Sequence, residues 1–143
     1  MFVSQILKTK GGKVFTVSPT LTVADAAALL HERQVGAVVV MDDQEKVVGI
    51  LSERDLVRVI AVGGAAALPG LICDCMTRNV LFAAPNETVD VLLERMTDRR
   101  IRHLPVCEGT RLVGIVSIGD LVKWKIAETE AEAEDLKAYI AHA

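Results

Sequence analysis

The chain has 143 residues, which suffices for one well-buried core or for two small repeats that share one. Hydrophobic residues make up 51% of it and aromatic residues only 3%, so we expect a core of aliphatic side chains. The net charge of −3, with scattered basic residues, argues against a nucleic-acid partner, and no apolar run reaches the length of about 18 residues that a membrane span needs. Since residues 1–10 also lack the pattern of a signal peptide, we expect a cytoplasmic protein with no membrane partner.

The first half of the chain predicts a β-α-β-β-α unit at residues 13–62, after a lead at residues 1–12. Runs rich in β-branched residues predict strands, and Thr or Ser at an N-cap position predicts the start of each helix. In chain order we expect a strand at 14–17, a helix at 24–34 capped by Thr22, strands at 37–41 and 47–51, and a helix that begins at Ser52.

A linker at residues 63–79 comes next, with a glycine, alanine and proline stretch at 63–70 and a short helix expected at 71–76. It carries Cys73 and Cys75, and Cys107 lies further on, an odd number that fits a reducing compartment better than a disulfide framework. Two interpretations stay open for the linker pair, a metal or redox site and two ordinary thiols. The second is favoured because zinc ligands are usually spaced further apart.

The second half of the chain repeats the first at residues 80–126. Pro19 and Thr22 correspond to Pro85 and Thr88 at a constant offset, which falls by one residue later on, in a polar stretch where a hairpin tolerates a length change. The same reasoning predicts a strand at 80–83, a helix at 89–99, strands at 103–107 and 112–116, and a helix that begins at Ser117.

The last residues, 118–143, contain no proline and no glycine after Gly119, so they predict a long helix whose extension covers 127–143. Ile126, Ala133 and Ile140 are seven residues apart and form a narrow apolar stripe. This stripe is suited to docking on the body of the protein or on a second subunit.

Three blocks of the sequence carry a resemblance to a known family. They read Ile-Arg-His-Leu-Pro-Val at 101–106, Val-Gly-Ile-Val-Ser-Ile-Gly-Asp-Leu at 113–121 and Val-Gly-Ile-Leu-Ser-Glu-Arg-Asp-Leu at 48–56. The chain therefore resembles a CBS domain pair over residues 13–125, similar to small bacterial and plant-organelle proteins. The resemblance implies an α/β (α+β) fold of tandem repeats packed sheet to sheet with pseudo-twofold symmetry, and a homodimer.

Such a pair is called a Bateman module, and the resemblance implies two clefts between the repeats that hold AMP or another adenosine compound such as NAD, ATP or S-adenosylmethionine. In the family, the Asp of the Gly-h-x-Ser-x-x-Asp motif, with h an apolar residue, holds the ribose hydroxyls. The Ser and nearby basic residues meet phosphate. At the matching positions, this implies Asp120 and Asp55 for ribose, and Ser117 and Ser52 for phosphate.

Further candidates surround these motifs. Adenine needs a flat apolar slot beside strand ends, and phosphate needs basic residues or close backbone approach. The residues are Thr16, Val17, Phe82, Ala83 and Pro105 for adenine, and Gly119, Arg54, Arg102 and His103 for phosphate. Because Arg102-His103 stand where the first copy has Gly36-Ala37, we expect the cleft at Asp120 to hold ligand better.

Several alternatives remain open from the sequence. Ser-x-x-Asp at a helix start is also a capping box, a purely structural device. The leading hypothesis is a regulatory module that signals its ligand state to an unidentified partner protein, and the alternative is an interaction scaffold without nucleotide. We predict that the protein is not an enzyme and has no catalytic cofactor or metal. The best pair for catalysis, Cys107 with His103, lies too far apart along a strand to form a dyad.

Overall fold

A computed structural model describes residues 1–142 and contains five α-helices and five strands in that range. Its mixed α/β architecture confirms the predicted fold class. In chain order the elements are α1 Val3–Lys10, β1 Thr16–Val17, α2 Val23–Arg33, β2 Ala37–Met41, β3 Val47–Ser52, α3 Glu53–Gly63, short 3₁₀ turns at Gly64–Ala67 and Ile72–Asp74, α4 Val89–Arg99, β4 His103–Glu108, β5 Arg111–Ser117 and α5 Ile118–Ala141.

These elements form two compact units. Residues 14–81 make one of them, called here the first-repeat unit. Residues 1–13 and the chain from Phe82 onward make the other, the second-repeat unit. The linker predicted at 63–79 therefore belongs to the first-repeat unit, and the whole lead predicted at 1–12 belongs to the second-repeat unit.

The first-repeat unit is built on a three-stranded sheet in the order β1-β2-β3. Strand β2 pairs in parallel with β1 and antiparallel with β3, with Val38 opposite Leu51. Helix α2 begins at Thr22, whose side chain accepts a hydrogen bond from the Asp25 amide at 3.2 Å, as an N-cap does. The buried core of this unit comprises Val23, Ala26, Leu30, Val38, Val40, Leu51, Leu56, Ile72 and Met76.

The second-repeat unit has the same plan around the antiparallel pair β4 and β5, in which Leu104 lies opposite Val116. Helix α4 begins at Thr88, the equivalent of Thr22, whose side chain accepts from the Val91 amide at 3.3 Å. Buried aliphatic and methionine side chains fill its interior. They include Val3, Ile6, Val89, Leu92, Met96, Leu104, Val106, Val116 and Leu121.

The strand predicted at 80–83 is wrong, because that stretch makes only a single parallel bridge, between Ala83 and Val106. Pro105 occupies the position that Val39 has in the first repeat, where Thr16 pairs with Val39. Since proline has no backbone N–H, it cannot donate the bond that would extend the ladder by another step. The equivalent strand in the first repeat is also shorter than predicted, at Thr16–Val17.

In each unit, a segment from outside the repeat packs over the glycine of the Val-Gly-Ile motif. This segment is α1 in the second-repeat unit and the end of the linker in the first-repeat unit. A Cβ atom added to Gly114 would lie 2.5 Å from Leu7 Cδ2, and one added to Gly49 would lie 2.5 Å from Met76 Sδ. Such distances are far inside van der Waals contact. The glycine of the motif thus leaves room for the Leu7 side chain of α1 in one unit and for the Met76 side chain at the end of the linker in the other.

The long C-terminal helix expected from the sequence is confirmed as α5, which has 24 residues. Its first turns belong to the unit, with Leu121 buried and Lys125 Nζ 2.9 Å from Asp90 Oδ1 on α4. The predicted stripe members Ile126 and Ile140 are exposed within the described chain. None of the helices within residues 1–142 is both long and apolar enough to cross a membrane.

The burial of α1 predicts that the N-terminal segment contributes to stability. Replacing Ile6, which is 1% exposed, by alanine should lower the free energy of unfolding by about 2–5 kcal/mol, because it leaves a cavity in the core. Urea denaturation of the full chain measures this change. The control is Lys8→Ala on the exposed side of the same helix, for which we expect less than about 0.5 kcal/mol. Equal effects of the two changes would contradict the burial of Ile6 in the core.

Candidate functional site

In the second-repeat unit, β5 passes directly into α5 at Ser117, and the start of this helix is held by a capping box. Asp120 N donates to Ser117 Oγ at 3.1 Å, and Ser117 N donates to Asp120 Oδ2 at 2.8 Å. The Ser-x-x-Asp motif thus forms a capping box. The same arrangement fixes the Asp120 carboxylate at the positive end of the α5 dipole, where an anion is stabilised.

Lys10, the last residue of α1, binds the same carboxylate. Its Nζ atom lies 2.6 Å from Asp120 Oδ2 and donates a second hydrogen bond to the Ile115 carbonyl oxygen at 2.9 Å. Within the described chain, the hydrogen bonds found for the Asp120 carboxylate all end on Oδ2. The Oδ1 atom is thus left as an acceptor on a side chain that is 26% exposed.

The ionisation of Asp120 reflects these contacts. Burial raises the pKa of the carboxyl, but the hydrogen bond from Lys10, the Ser117 amide and the charge of Lys10 together outweigh it, so the net pKa lies below its ordinary value. Asp120 is therefore a carboxylate, an acceptor only, at neutral pH.

The equivalent motif in the first-repeat unit has the same capping box but a different environment. Asp55 is only 3% exposed, and both of its oxygens are engaged. Ser52 N donates to Oδ2 at 3.0 Å, Arg58 donates to Oδ1 at 3.2 Å, and the Thr77 hydroxyl bridges the two oxygens at 3.3 and 3.5 Å. This carboxylate is thus saturated by the protein, whereas that of Asp120 is not.

Three other candidates in the second-repeat unit lie near Ser117. His103 pairs with Ser117 across the β4–β5 ladder, and the Arg102 carbonyl accepts from the Ile118 amide at 2.8 Å. Gly119 occupies the first turn of α5. The structure therefore gathers both basic candidates at the helix start that carries Asp120.

The candidates for adenine in this unit lie further along β4 and in the segment that bridges to it. Pro105 is two residues from His103, a rise of roughly 7 Å along a strand, and its carbonyl accepts from the Ala83 amide at 2.9 Å. Phe82, just before Ala83, is 40% exposed. The remaining candidates, Thr16, Val17, Ser52, Arg54 and Asp55, belong to the first-repeat unit, where Ala37 pairs with Ser52.

Sequence reasoning missed Lys10, Arg58 and Thr77, the partners of the two aspartates. Arg58 comes three residues after Asp55 on a helix, a spacing at which ion pairs form, so its role was visible in principle. Lys10 and Thr77 lie outside the repeated motifs and reach the aspartates from 110 and 22 residues away. No local pattern marks them.

The three cysteines are free thiols of intermediate burial. Burial raises the pKa of both Cys75 and Cys107, and the nearby charge of Asp55 raises that of Cys75 further. Raised pKa values keep these two thiols protonated at neutral pH, and a protonated thiol is neither a good nucleophile nor a metal ligand. Among residues 1–142, no cluster of three or more His, Cys, Asp or Glu side chains is suited to hold a metal ion.

The CBS domain family model matches residues 3–62 and 72–127 of the chain. A curated relative, the mitochondrial CBS domain-containing protein CBSX3 of Arabidopsis thaliana, is 35% identical over 146 residues, which cover 96% of this chain and 71% of the relative. Among solved structures, the CBS-domain containing protein ATU1752 from Agrobacterium tumefaciens is 48% identical with a TM-score of 0.84, over 85% of this chain and 91% of that one.

Two further similar structures contain adenosine compounds. One is the CBS domain protein PAE2072 from Pyrobaculum aerophilum complexed with AMP, which is 28% identical with a TM-score of 0.74, over 84% of this chain and 89% of that one. The other is the CBS domain pair of protein MJ0100 in complex with 5-methylthioadenosine and S-adenosyl-L-methionine. It is 26% identical with a TM-score of 0.79, over 90% of this chain and 98% of that one.

The lowered pKa of Asp120 predicts a pH-dependent contribution to stability. Because the folded-state pKa lies below the unfolded value of about 3.9, the stabilisation is fully present above that value and is lost as the pH falls through the folded pKa. Asp120→Asn should therefore destabilise the chain more at pH 7 than at pH 3, as measured by urea denaturation. The control is Asp98→Asn at an exposed position of α4. A loss from Asp120→Asn that is equal at both pH values would contradict the prediction.

Proposed function

We propose, since the chain belongs to the CBS domain family with two such domains, that it is a regulatory module that binds an adenine nucleotide. AMP is the first candidate, with NAD, ATP and S-adenosylmethionine as alternatives. The observation that carries the proposal is the Asp120 carboxylate at the start of α5, ionised, partly exposed and with Oδ1 left as an acceptor.

The chemistry of this carboxylate suits a nucleotide. Vicinal ribose hydroxyls are donors, and an ionised carboxylate accepts strong hydrogen bonds from them. The N-terminus of α5 supplies a positive dipole end for phosphate, and Arg102 and His103 bring basic side chains to the same end of the β4–β5 pair. Ser117, whose hydroxyl already caps the helix, fixes the position of the carboxylate.

The similar structures support an adenosine ligand as a class. PAE2072 is complexed with AMP, and MJ0100 with 5-methylthioadenosine and S-adenosyl-L-methionine, so the ligands share adenosine and differ in the group attached at its 5′ position. The contacts proposed for Asp120 are to ribose, the part that these compounds have in common.

We propose that the Asp120 site binds more tightly than the one at Asp55. A ligand at Asp55 would have to replace hydrogen bonds from Arg58 and Thr77 to a side chain that is 3% exposed, and removing a partner from a buried charge is costly. At Asp120, ribose can use the oxygen that the protein leaves open.

The regulatory part of the proposal is that ligand binding changes the population of conformations that a partner protein recognises, with no chemical change in the ligand. We also propose a homodimer, supported by the apolar residues exposed along α5. The free cysteines support a reducing compartment such as the cytoplasm. An interaction scaffold with no bound nucleotide is the competing function, and the open Asp120 oxygen favours the ligand-binding one.

Binding predicts a rise in thermal stability. A ligand present at 100 times its dissociation constant adds about 2.7 kcal/mol to the free energy of unfolding, because it binds only the folded state. We expect thermal-shift measurements on the full chain to show a raised midpoint with at least one of AMP, ADP, ATP, NAD and S-adenosylmethionine. Guanosine monophosphate serves as the control. The absence of a shift with every adenosine compound would refute the proposed function in favour of the scaffold.

The asymmetry of the two motifs predicts unequal effects of matched substitutions. In titration calorimetry with the adenosine compound that raises the thermal midpoint, Asp120→Asn should weaken binding at least tenfold. A neutral amide is a poorer hydrogen-bond acceptor for ribose hydroxyls than a carboxylate. Asp55→Asn should change binding less than threefold in the same titration calorimetry. Circular dichroism establishes that both variants are folded. If Asp55→Asn has the larger effect, the preference for the Asp120 site is wrong.

A further inference from the structure

Lys10 stands out because it joins the candidate ribose carboxylate from outside the repeated motifs. Its ammonium is fixed by two contacts at once, with Asp120 Oδ2 at 2.6 Å and the Ile115 carbonyl at 2.9 Å. Helix α1, which carries it, is anchored by the buried Val3 and Ile6. The helix ends immediately afterwards at Gly11, whose φ of +94° suits glycine alone. Lys10 is thus held in place by the fold.

The charge of Lys10 resolves an electrostatic conflict in the site. A carboxylate is the appropriate acceptor for ribose hydroxyls, but its negative charge repels a phosphate on the same nucleotide. Like charges several ångströms apart near a protein surface repel each other, and an opposite charge in contact with one of them cancels most of that repulsion. The Lys10 ammonium is in such contact with Asp120.

We propose that Lys10 is a specificity-determining residue that makes the Asp120 site select adenosine ligands bearing phosphate over uncharged or cationic ones. This inference rests on the proposed function, and it narrows the ligand class from adenosine compounds in general to AMP and other phosphorylated forms. Uncharged adenosine and 5-methylthioadenosine, and cationic S-adenosylmethionine, gain nothing from cancellation of the carboxylate charge.

The first-repeat unit shows that the lysine is not required by the fold. Met76 covers Gly49 as Leu7 covers Gly114, and in both units the segment that covers the glycine goes on to reach the aspartate. From this segment, Asp55 receives a neutral hydroxyl instead of an ammonium. The cation that meets Asp55 is instead Arg58 of its own helix, at 3.2 Å. A cation supplied by the glycine-covering segment is therefore particular to the Asp120 site.

The experiment compares ligands of different charge on matched variants of the full chain. Titration calorimetry measures the dissociation constants of AMP and adenosine for the wild type, Lys10→Met, Lys10→Arg and Lys8→Met. Lys8 lies on the exposed side of the same helix, so Lys8→Met makes the same change of charge away from the site. Circular dichroism and the thermal midpoint establish that each variant is folded.

We expect Lys10→Met to raise the dissociation constant of AMP about tenfold and to change that of adenosine less than twofold. Lys10→Arg and Lys8→Met should keep the wild-type ratio of the two dissociation constants. The loss of AMP affinity caused by Lys10→Met should also shrink as salt rises from 50 to 500 mM, because ions then screen the uncompensated charge of Asp120. The affinity for adenosine should show no such recovery.

Two results would overturn the inference while leaving the proposed function standing. In the first, Lys10→Met weakens the binding of AMP and of adenosine by the same factor, which means that the lysine only positions Asp120. In the second, Lys10→Met changes the dissociation constant of neither ligand. Failure of the wild type to bind either ligand would instead refute the proposed function, and the inference with it.

Discussion

The reciprocal hydrogen bonds between a serine and an aspartate at the start of a helix organise each repeat of this protein. At Ser52 and at Ser117 a strand ends, a helix begins, and the aspartate side chain turns back to the serine amide. A helix start leaves amide groups without partners, so this device satisfies donors that the fold itself creates. The same two bonds fix a carboxylate at the positive end of the helix dipole. A structural requirement thus places an acceptor at the position proposed to bind ribose.

The two repeats differ in the side chains from outside the motif that bind each aspartate. Asp55 is buried under Thr77 and Arg58, which use both of its oxygens, whereas Asp120 keeps one oxygen open beside Lys10. Part of the difference comes from the end of the linker and from α1. These two segments pack over Gly49 and Gly114, respectively, but carry different side chains. Similar backbones thereby offer chemically different surfaces.

Most elements of the fold were predictable from the sequence because their signals are local. Thr22 and Thr88 mark helix starts by their own side chains, and β-branched runs mark β2 to β5. The strand expected at 80–83 fails for a reason that lies elsewhere in the chain, since Pro105 withholds the donor that a longer ladder needs. Lys10 was missed for the same kind of reason. Its partner lies 110 residues away in the sequence, and a lysine in the last turn of a helix is usually explained by the helix dipole alone.

The membership of α1 in the second-repeat unit has a consequence for how the chain acquires its structure. Residues 14–81 form their unit from one continuous stretch, so it can close as soon as that stretch has been synthesised. The other unit joins residues 1–13 to a segment that begins at Phe82, so α1 can pack only after that later segment has been made. Contacts of such sequence separation are slow to form because loop closure costs entropy before it is repaid. During translation α1 therefore finds its place only after residues 14–81 have been made.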